Sequence, residues 1–232
     1  AGVAHEINNP VNGIINYAQI LLNKYAAGEV AGNISGRIVK EGDRIARIVE
    51  SLLSFARQDE EERTVVDVKE MLTDALTLTA AQLRKDGIAI TVDMPSDLPP
   101  VEVHSQKIQQ VFVNLISNAR YALNQKKEYR NGAKQLRISA EVVNQEGGPW
   151  MRIAFHDSGI GIPAEAIDKI MNPFFSTKPK GMGTGLGLSI SQGIINDYGG
   201  TLTIESREHD FTRVTIDLPA IAVSAEEGRL AS

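Results

Sequence analysis

Cysteine is absent from this chain of 232 residues. That excludes disulfide frameworks and thiolate metal sites, and it fits a reducing compartment such as the cytoplasm. An excess of positive charge is also missing. Lys and Arg number 24 against 29 Asp and Glu, for a net charge of −5. Phosphate backbones need a basic face, so a nucleic-acid partner is not expected. No run of eighteen apolar residues occurs, so nothing here reads as a membrane-spanning helix or a membrane contact, whatever anchors a longer parent. No signal peptide is visible. Hydrophobic residues make up 42% and charged residues 23%, which is ordinary for a globular chain with a core of its own. The chain opens in mid-pattern, with His5 almost at its first residue, and reads as a fragment.

Apolar residues Ile7, Val11, Ile14, Ala18, Leu21 and Tyr25 alternate in steps of four and three, the signature of a heptad seam. Ile34, Ile38, Ile45, Ile48, Leu52 and Phe55 repeat it, interrupted at Glu41. The residues between, 26–33, suit a turn. The pattern predicts an antiparallel helical hairpin whose seams bury well only when two hairpins pair as a four-helix bundle. A charged stretch at 58–64 predicts a boundary and hinge. Beyond it the pattern turns to mixed helix and strand. Asp67 with Glu70 suits a capping box opening a helix near 67–85. Residues 88–92 alternate like a strand. Ser105 is placed to cap a helix reaching about Lys126. Strands are expected at 135–144 and 150–157, around a turn at Gly147-Gly148-Pro149, and a short helix after Pro163. A loop covers 172–184. A helix near 186–197 ends at Gly199-Gly200, and strands follow at 201–206 and 211–218. The fold class is α+β: a helical hairpin over 1–60, a two-layer α/β sandwich with a mixed sheet over 61–221, and a loose tail at 222–232.

Four clusters carry chemistry. His5 stands beside Glu6 on the outer face of the first helix, four residues before Asn9. A neutral imidazole can accept a phosphoryl group, and a carboxylate on its other nitrogen would orient the ring. Alone, His5 is an ordinary surface histidine. A zinc H-E-x-x-H helix is excluded because the second histidine is Asn9. Pro10 removes a backbone donor and should bend the helix. Asn114 and Asn118, four apart on an apolar helix, share one face. Buried asparagine is costly unless paired. Their oxygens suit a hard cation such as Mg²⁺, or the two form an amide network. Asp157-Ser158-Gly159-Ile160-Gly161 follows an apolar strand. Its carboxylate can accept from an exocyclic amino group, although the string is also a common turn. Gly181, Gly183, Gly185 and Gly187 precede a helix, where backbone donors and the helix dipole favour phosphate. Thr184 and Ser189 can add hydroxyls. Trp150 and the methionines suggest packing alone. His104, His156 and His209 show no ligand spacing.

Taken in order, these clusters resemble the H, N, G1 and G2 boxes of the sensor histidine kinases of two-component signalling, and Asn172–Lys178 resembles their F box. The strings His5–Pro10 and Asn118–Leu123 look closest to the nitrogen-regulation-like branch. The resemblance covers roughly residues 1–220. It implies a dimerisation and phosphotransfer hairpin followed by a Bergerat-type ATPase domain. By that likeness His5 is the phosphoacceptor, Glu6 its base partner, and Asn9 the residue that places water for dephosphorylation. Asn118 is implied as the Mg²⁺ ligand, assisted by Asn114, and Asp157 as the adenine reader with Gly159 and Gly161. Phe175, Thr177 and Lys178 would join Gly183, Thr184, Gly185, Leu186 and Gly187 in a movable lid over ATP. Many relatives carry lysine where Tyr121 stands here, with Arg120 beside it as a substitute cation. A glycine-rich stretch often precedes the last strand, where this chain has Arg207–Phe211.

The implied function is ATP- and Mg²⁺-dependent autophosphorylation of His5 in a homodimer, then relay to an aspartate of a response regulator. The competing readings are an ATP-gated conformational clamp of the Hsp90, gyrase and MutL kind, and a dimerisation module that binds ATP without transfer. The clamps usually place glutamate where Asn114 stands.

Overall fold

The computed structural model describes residues 2–25, 34–39, 42, 45, 62–127, 134–145, 148–179 and 183–222, with residues 2–10, 24 and 25 as backbone only. The chain divides into two compact units, Ala1–Glu61 with Asn172–Gly187, and Glu62–Met171 with Leu188–Ser232.

In the first unit, helix α1 spans Gly2–Tyr25. Pro10 lies inside it without ending it. Residues 34–39, 42 and 45 are helical too. Gly42 is buried against Ile15 so closely that a Cβ would collide with the Ile15 side chain, which explains a helix-weakening residue there. The predicted seam is half covered. Val11 and Ala18 are buried, whereas Ile14, Leu21, Ile34, Ile38 and Ile45 stay exposed. The expected turn at 26–33, most of the second helix beyond residue 39, the hinge up to residue 61, Glu146-Gly147, Gly181 and the tail beyond 222 lie outside the described residues.

The second unit is a two-layer sandwich. Strands β1 (Thr64–Val66) and β3 (Val101–Val103) pair antiparallel as a small ribbon. Neither was expected, because three-residue strands leave no readable alternation and the prolines around 95–100 suggest only loop. Strands β2 (Ile88–Asp93), β4 (Lys134–Gln145), β5 (Gly148–Asp157), β6 (Thr201–Arg207) and β7 (Phe211–Pro219) form a sheet in the order β2-β4-β5-β7-β6. β2 runs parallel to β4 and the other pairs are antiparallel, so the sheet is mixed. Helices α2 (Val68–Lys85), α3 (Ser105–Gln125), α4 (Ala164–Ile167) and α5 (Gly187–Asp197) complete the chain order.

Strand alternation explains the layers. On β5, Met151, Ile153, Phe155 and Asp157 face the core, while Arg152, Ala154 and His156 point the other way. The cores of α2 and α3 meet that inner face through Leu72, Leu83, Phe112, Leu115 and Ile116, all essentially inaccessible. The Phe112 and Phe155 rings lie 5.5 Å apart and tilted, a favourable aromatic geometry. On the outer face Arg152 and Asp217, opposite one another on β5 and β7, form a two-pronged ion pair at 2.8 Å.

Helix ends differ in detail from expectation. Asp67 caps α2, but its oxygen accepts from the Lys69 amide at 2.7 Å rather than from Glu70 as a capping box would have it. α3 begins at Ser105, and the capping position belongs to His104, which makes no side-chain cap bond. Its backbone N–H instead donates to the Tyr198 hydroxyl at 3.2 Å, with its ring Nδ1 2.6 Å from the same oxygen.

Candidate nucleotide site

The site is built on α3. Its buried positions Ile108, Val111, Phe112, Leu115, Ile116, Ala119 and Leu123 recur every three or four residues and fix the rotation of the helix. That rotation sets Asn114 and Asn118 on a half-buried flank. The Asn118 amide donates to Asn114 Oδ1 at 3.4 Å, and the Asn114 amide donates to Ser191 Oγ at 2.8 Å. Ser191 is buried on α5. The sequence points to Ser189 as a hydroxyl near the glycines, whereas the structure brings Ser191 to Asn114. Helical spacing was the available signal, since Ser191 follows Gly187 by four and so shares its face.

Arg120 does not join the asparagines. Its Nε lies 2.5 Å from Asp86 Oδ2 and its Nη1 donates to Gln82 at 3.0 Å, at the end of α2. The reason is angular: two positions along a helix turn through about 200°, so residue 120 points away from residue 118. The expectation of Arg120 as a substitute cation is corrected by that geometry. Tyr121, three positions after Asn118, keeps the asparagine side of the helix.

At the end of β5, Asp157 is buried. Burial pushes its carboxyl up to about 7, against the opposing pull of the Gly159 amide and the Lys126 ammonium. The Gly159 N–H donates to Asp157 Oδ1 at 2.9 Å. The two glycines of this loop are required by the protein's own backbone. A Cβ on Gly159 would fall 2.5 Å from Asp157 Oδ1 and 2.7 Å from Ala122 of α3. Gly161 has φ +67, and a Cβ there would collide with the Arg207 carbonyl. The loop is tied to α3 by Ile160 N–H to Ala122 O at 3.2 Å. It is tied to the β6–β7 turn by His209 N–H to Ile160 O at 2.6 Å. The charged sequence Arg207–Phe211 thus forms a tight turn, with His209 at φ +62, that buttresses the Asp157 loop.

The segment 172–187 has internal order of its own. Phe174 sits in the left-handed region at φ 67, and its N–H donates to Gly185 O at 3.0 Å. Gly185 has φ 71, and a Cβ there would lie 2.5 Å from the Phe174 carbonyl carbon. The Leu186 amide donates to Thr184 Oγ1 at 3.3 Å, and the Lys178 amide to Ser176 Oγ at 3.2 Å. Gly183 lies beside the Ser176 hydroxyl and the Lys178 side chain. Phe175 and Lys178 are half-buried, Thr177 is exposed, and burial lowers the Lys178 ammonium from its ordinary range. Gly187 opens α5. The backbones of His5, Glu6 and Asn9 belong to α1, and their side chains lie outside the described residues. No group of three or more His, Cys, Asp or Glu suited to a metal occurs among the described residues.

Comparison with known proteins agrees with this geometry. The family model described as "Histidine kinase-, DNA gyrase B-, and HSP90-like ATPase" matches residues 103–222. The model "His Kinase A (phospho-acceptor) domain" matches residues 1–61. The chain is 32% identical over 219 residues to sensor histidine kinase ZraS of Escherichia coli (strain K12), covering 94% of this chain and 44% of that protein. It is 33% identical over 224 residues to sensor kinase CckA of Brucella abortus (strain 2308), covering 95% and 24%. It therefore spans less than half the length of these curated relatives. Among solved structures, the catalytic domain of histidine kinase ThkA superposes with a TM-score of 0.58 at 30% identity, over 69% of this chain and 97% of that one. ThkA in complex with response regulator protein TrrA gives 0.65 at 27% identity, over 94% and 60%. An ATPase sandwich preceded by a phospho-acceptor segment, with both family models in that order, means that this chain belongs to the sensor histidine kinases.

Proposed function

We propose that this chain is an ATP-dependent protein histidine kinase core that phosphorylates His5 and passes the phosphoryl group to an aspartate of a response regulator. The observation that carries the reading is Asp157: a buried carboxylate at a strand end, held by one loop amide and pushed up to about 7 by burial. It is an acceptor that gains from another donor, and the exocyclic amino group of adenine is one. Donor chemistry is consistent with the rest of the nucleotide. Asn114 and Asn118 present amide oxygens on one flank, joined to each other only by a long 3.4 Å bond. Those oxygens suit Mg²⁺, which takes oxygen ligands while keeping waters. When bound, the ion would supply charge neutralisation at the phosphate oxygens.

His5, neutral at its attacking nitrogen, forms the new P–N bond as the bond from the γ-phosphorus to the bridging oxygen breaks, and ADP departs. Glu6 holds the proton on the other ring nitrogen. The glycine segment with Thr184, Leu186 and Lys178 encloses the phosphates, helped by Gly183, Gly185, Gly187, Phe175 and Thr177. Tyr121 joins the nucleotide-facing side of α3 where many relatives carry lysine, and Asn9 places water for dephosphorylation. The chain acts as a homodimer in the cytoplasm. Supporting that, Ile14 and Leu21 of the seam are 50% and 48% exposed in one chain, and a second hairpin would cover them. The domain limits 1–60, 61–221 and 222–232 and the nitrogen-regulation-like branch belong to the same proposal.

The test is incorporation of label from γ-³²P-ATP. A phosphohistidine is acid-labile and base-stable. Label is expected in the wild type and lost in His5→Gln, with nucleotide binding kept. Phosphate release without label would indicate a clamp, and ATP binding with neither outcome a silent module.

A further inference from the structure

We propose that Lys126 is the positioning residue of the base-reading end of the site, fixing the loop that aims Asp157 and thereby setting the preference for adenine. The inference rests on the reading of Asp157 as the adenine acceptor. Lys126 stands immediately past the end of α3. Its ammonium donates to Ser158 O at 2.8 Å and to Asp210 O at 3.0 Å. One cation thus fastens the residue that follows Asp157 to the β6–β7 turn. The same two segments are already locked by His209 N–H to Ile160 O and by Ser206 Oγ accepting from Ile162 N–H at 2.9 Å. The loop is therefore held on three sides: by α3 at Ala122, by Lys126 from beyond the helix end, and by the turn.

Asp157 feels the Lys126 charge as a pull toward ionisation. An ionised carboxylate accepts from an amino group, whereas a protonated one also presents a donor and suits a carbonyl-bearing base. The other titratable groups around the loop are directed elsewhere. Arg207 and Asp210 pair at 3.3 Å, His209 lies 3.8 Å from Glu208, and His156 points to the opposite face of the sheet and stacks on Phe211. A lysine eight residues after Asn118 belongs to none of the sequence boxes.

The experiment is calorimetric titration of the folded chain with ATP and with inosine triphosphate, which carries a carbonyl in place of the amino group, between pH 6 and 8.5. The wild type should prefer ATP, and more so as pH rises. Lys126→Met should weaken ATP binding about tenfold, the scale of a charge-assisted contact, bring the two affinities together, and move the pH midpoint upward. Lys126→Arg should restore the preference. Asp157→Asn should remove the pH dependence. A lysine that merely stabilised the fold would weaken both nucleotides equally and leave the midpoint in place. If Lys126→Met keeps the wild-type ratio and pH profile while Asp157→Asn loses them, the role of Lys126 is overturned and adenine reading stands. If Asp157→Asn also keeps both, the reading of Asp157 falls, and the inference with it.

Discussion

The two units of this molecule satisfy their apolar surface in opposite ways. In the sandwich, Phe112, Leu115, Ile116, Leu136, Met151 and Ile153 are all but inaccessible within one chain. On α1, Val11 and Ala18 are covered, but Tyr17, Ile20 and Leu21 are 71%, 55% and 48% exposed. A sheet covered by helices closes its own core, whereas α1 leaves part of its seam open to water. That open seam is consistent with the proposed pairing of two hairpins.

Substitutions in either unit test this difference. The largest effect expected is from Phe112→Ala, which should destabilise the sandwich by about 3–5 kcal/mol, read as a fall in its denaturation midpoint. The paired substitution Ile14→Ala with Leu21→Ala should leave that midpoint within about 0.5 kcal/mol, yet shift the chain toward monomer in sedimentation equilibrium. Equal effects on both readouts would erase the contrast between the units.

Asp157 gives an effect of intermediate size with a defined sign. Its folded value is raised from 3.8 to about 7, so the folded state holds a proton that the unfolded state has released. Stability of the sandwich should therefore be highest below about pH 4 as far as this group is concerned, and should fall as pH rises toward 7, with a slope of at most about 1.4 kcal/mol per pH unit. Asp157→Asn should flatten that slope in urea melts taken at successive pH values. The smallest effect is expected at Arg213, whose side chain is 50% exposed on the outer sheet face and lies 3.7 Å from Glu205. Arg213→Ala should cost about 1 kcal/mol or less, because solvent screens an exposed pair. A larger loss would show that the outer face also carries structure.

What could be read from sequence follows the length of each signal. α3 and β5 announced themselves because ten or more residues of consistent periodicity leave little choice, and the Asp157 glycines were visible as a string. β1 and β3 were invisible at three residues each. The role of the glycines emerged only in three dimensions: Gly161 is forced by the Arg207 carbonyl, a residue 46 positions away. The departure at Arg207–Phe211 hid a turn that supports the base-reading loop. Arg120 is within two positions of Asn118 in sequence but turns to Asp86 and Gln82 in space, because two helical positions rotate through about 200°. Ser191 and Lys126 carry no local signal, since each gains its meaning from a partner distant along the chain.

The decisive question is where the phosphoryl group goes. Peptide mapping of the chain after incubation with γ-labelled ATP and Mg²⁺, under alkaline conditions that preserve phosphoramidates, addresses it directly. The label is expected on the amino-terminal peptide that carries His5. Label on any other peptide, or turnover of ATP with no labelled peptide at all, would contradict the proposed transfer to His5.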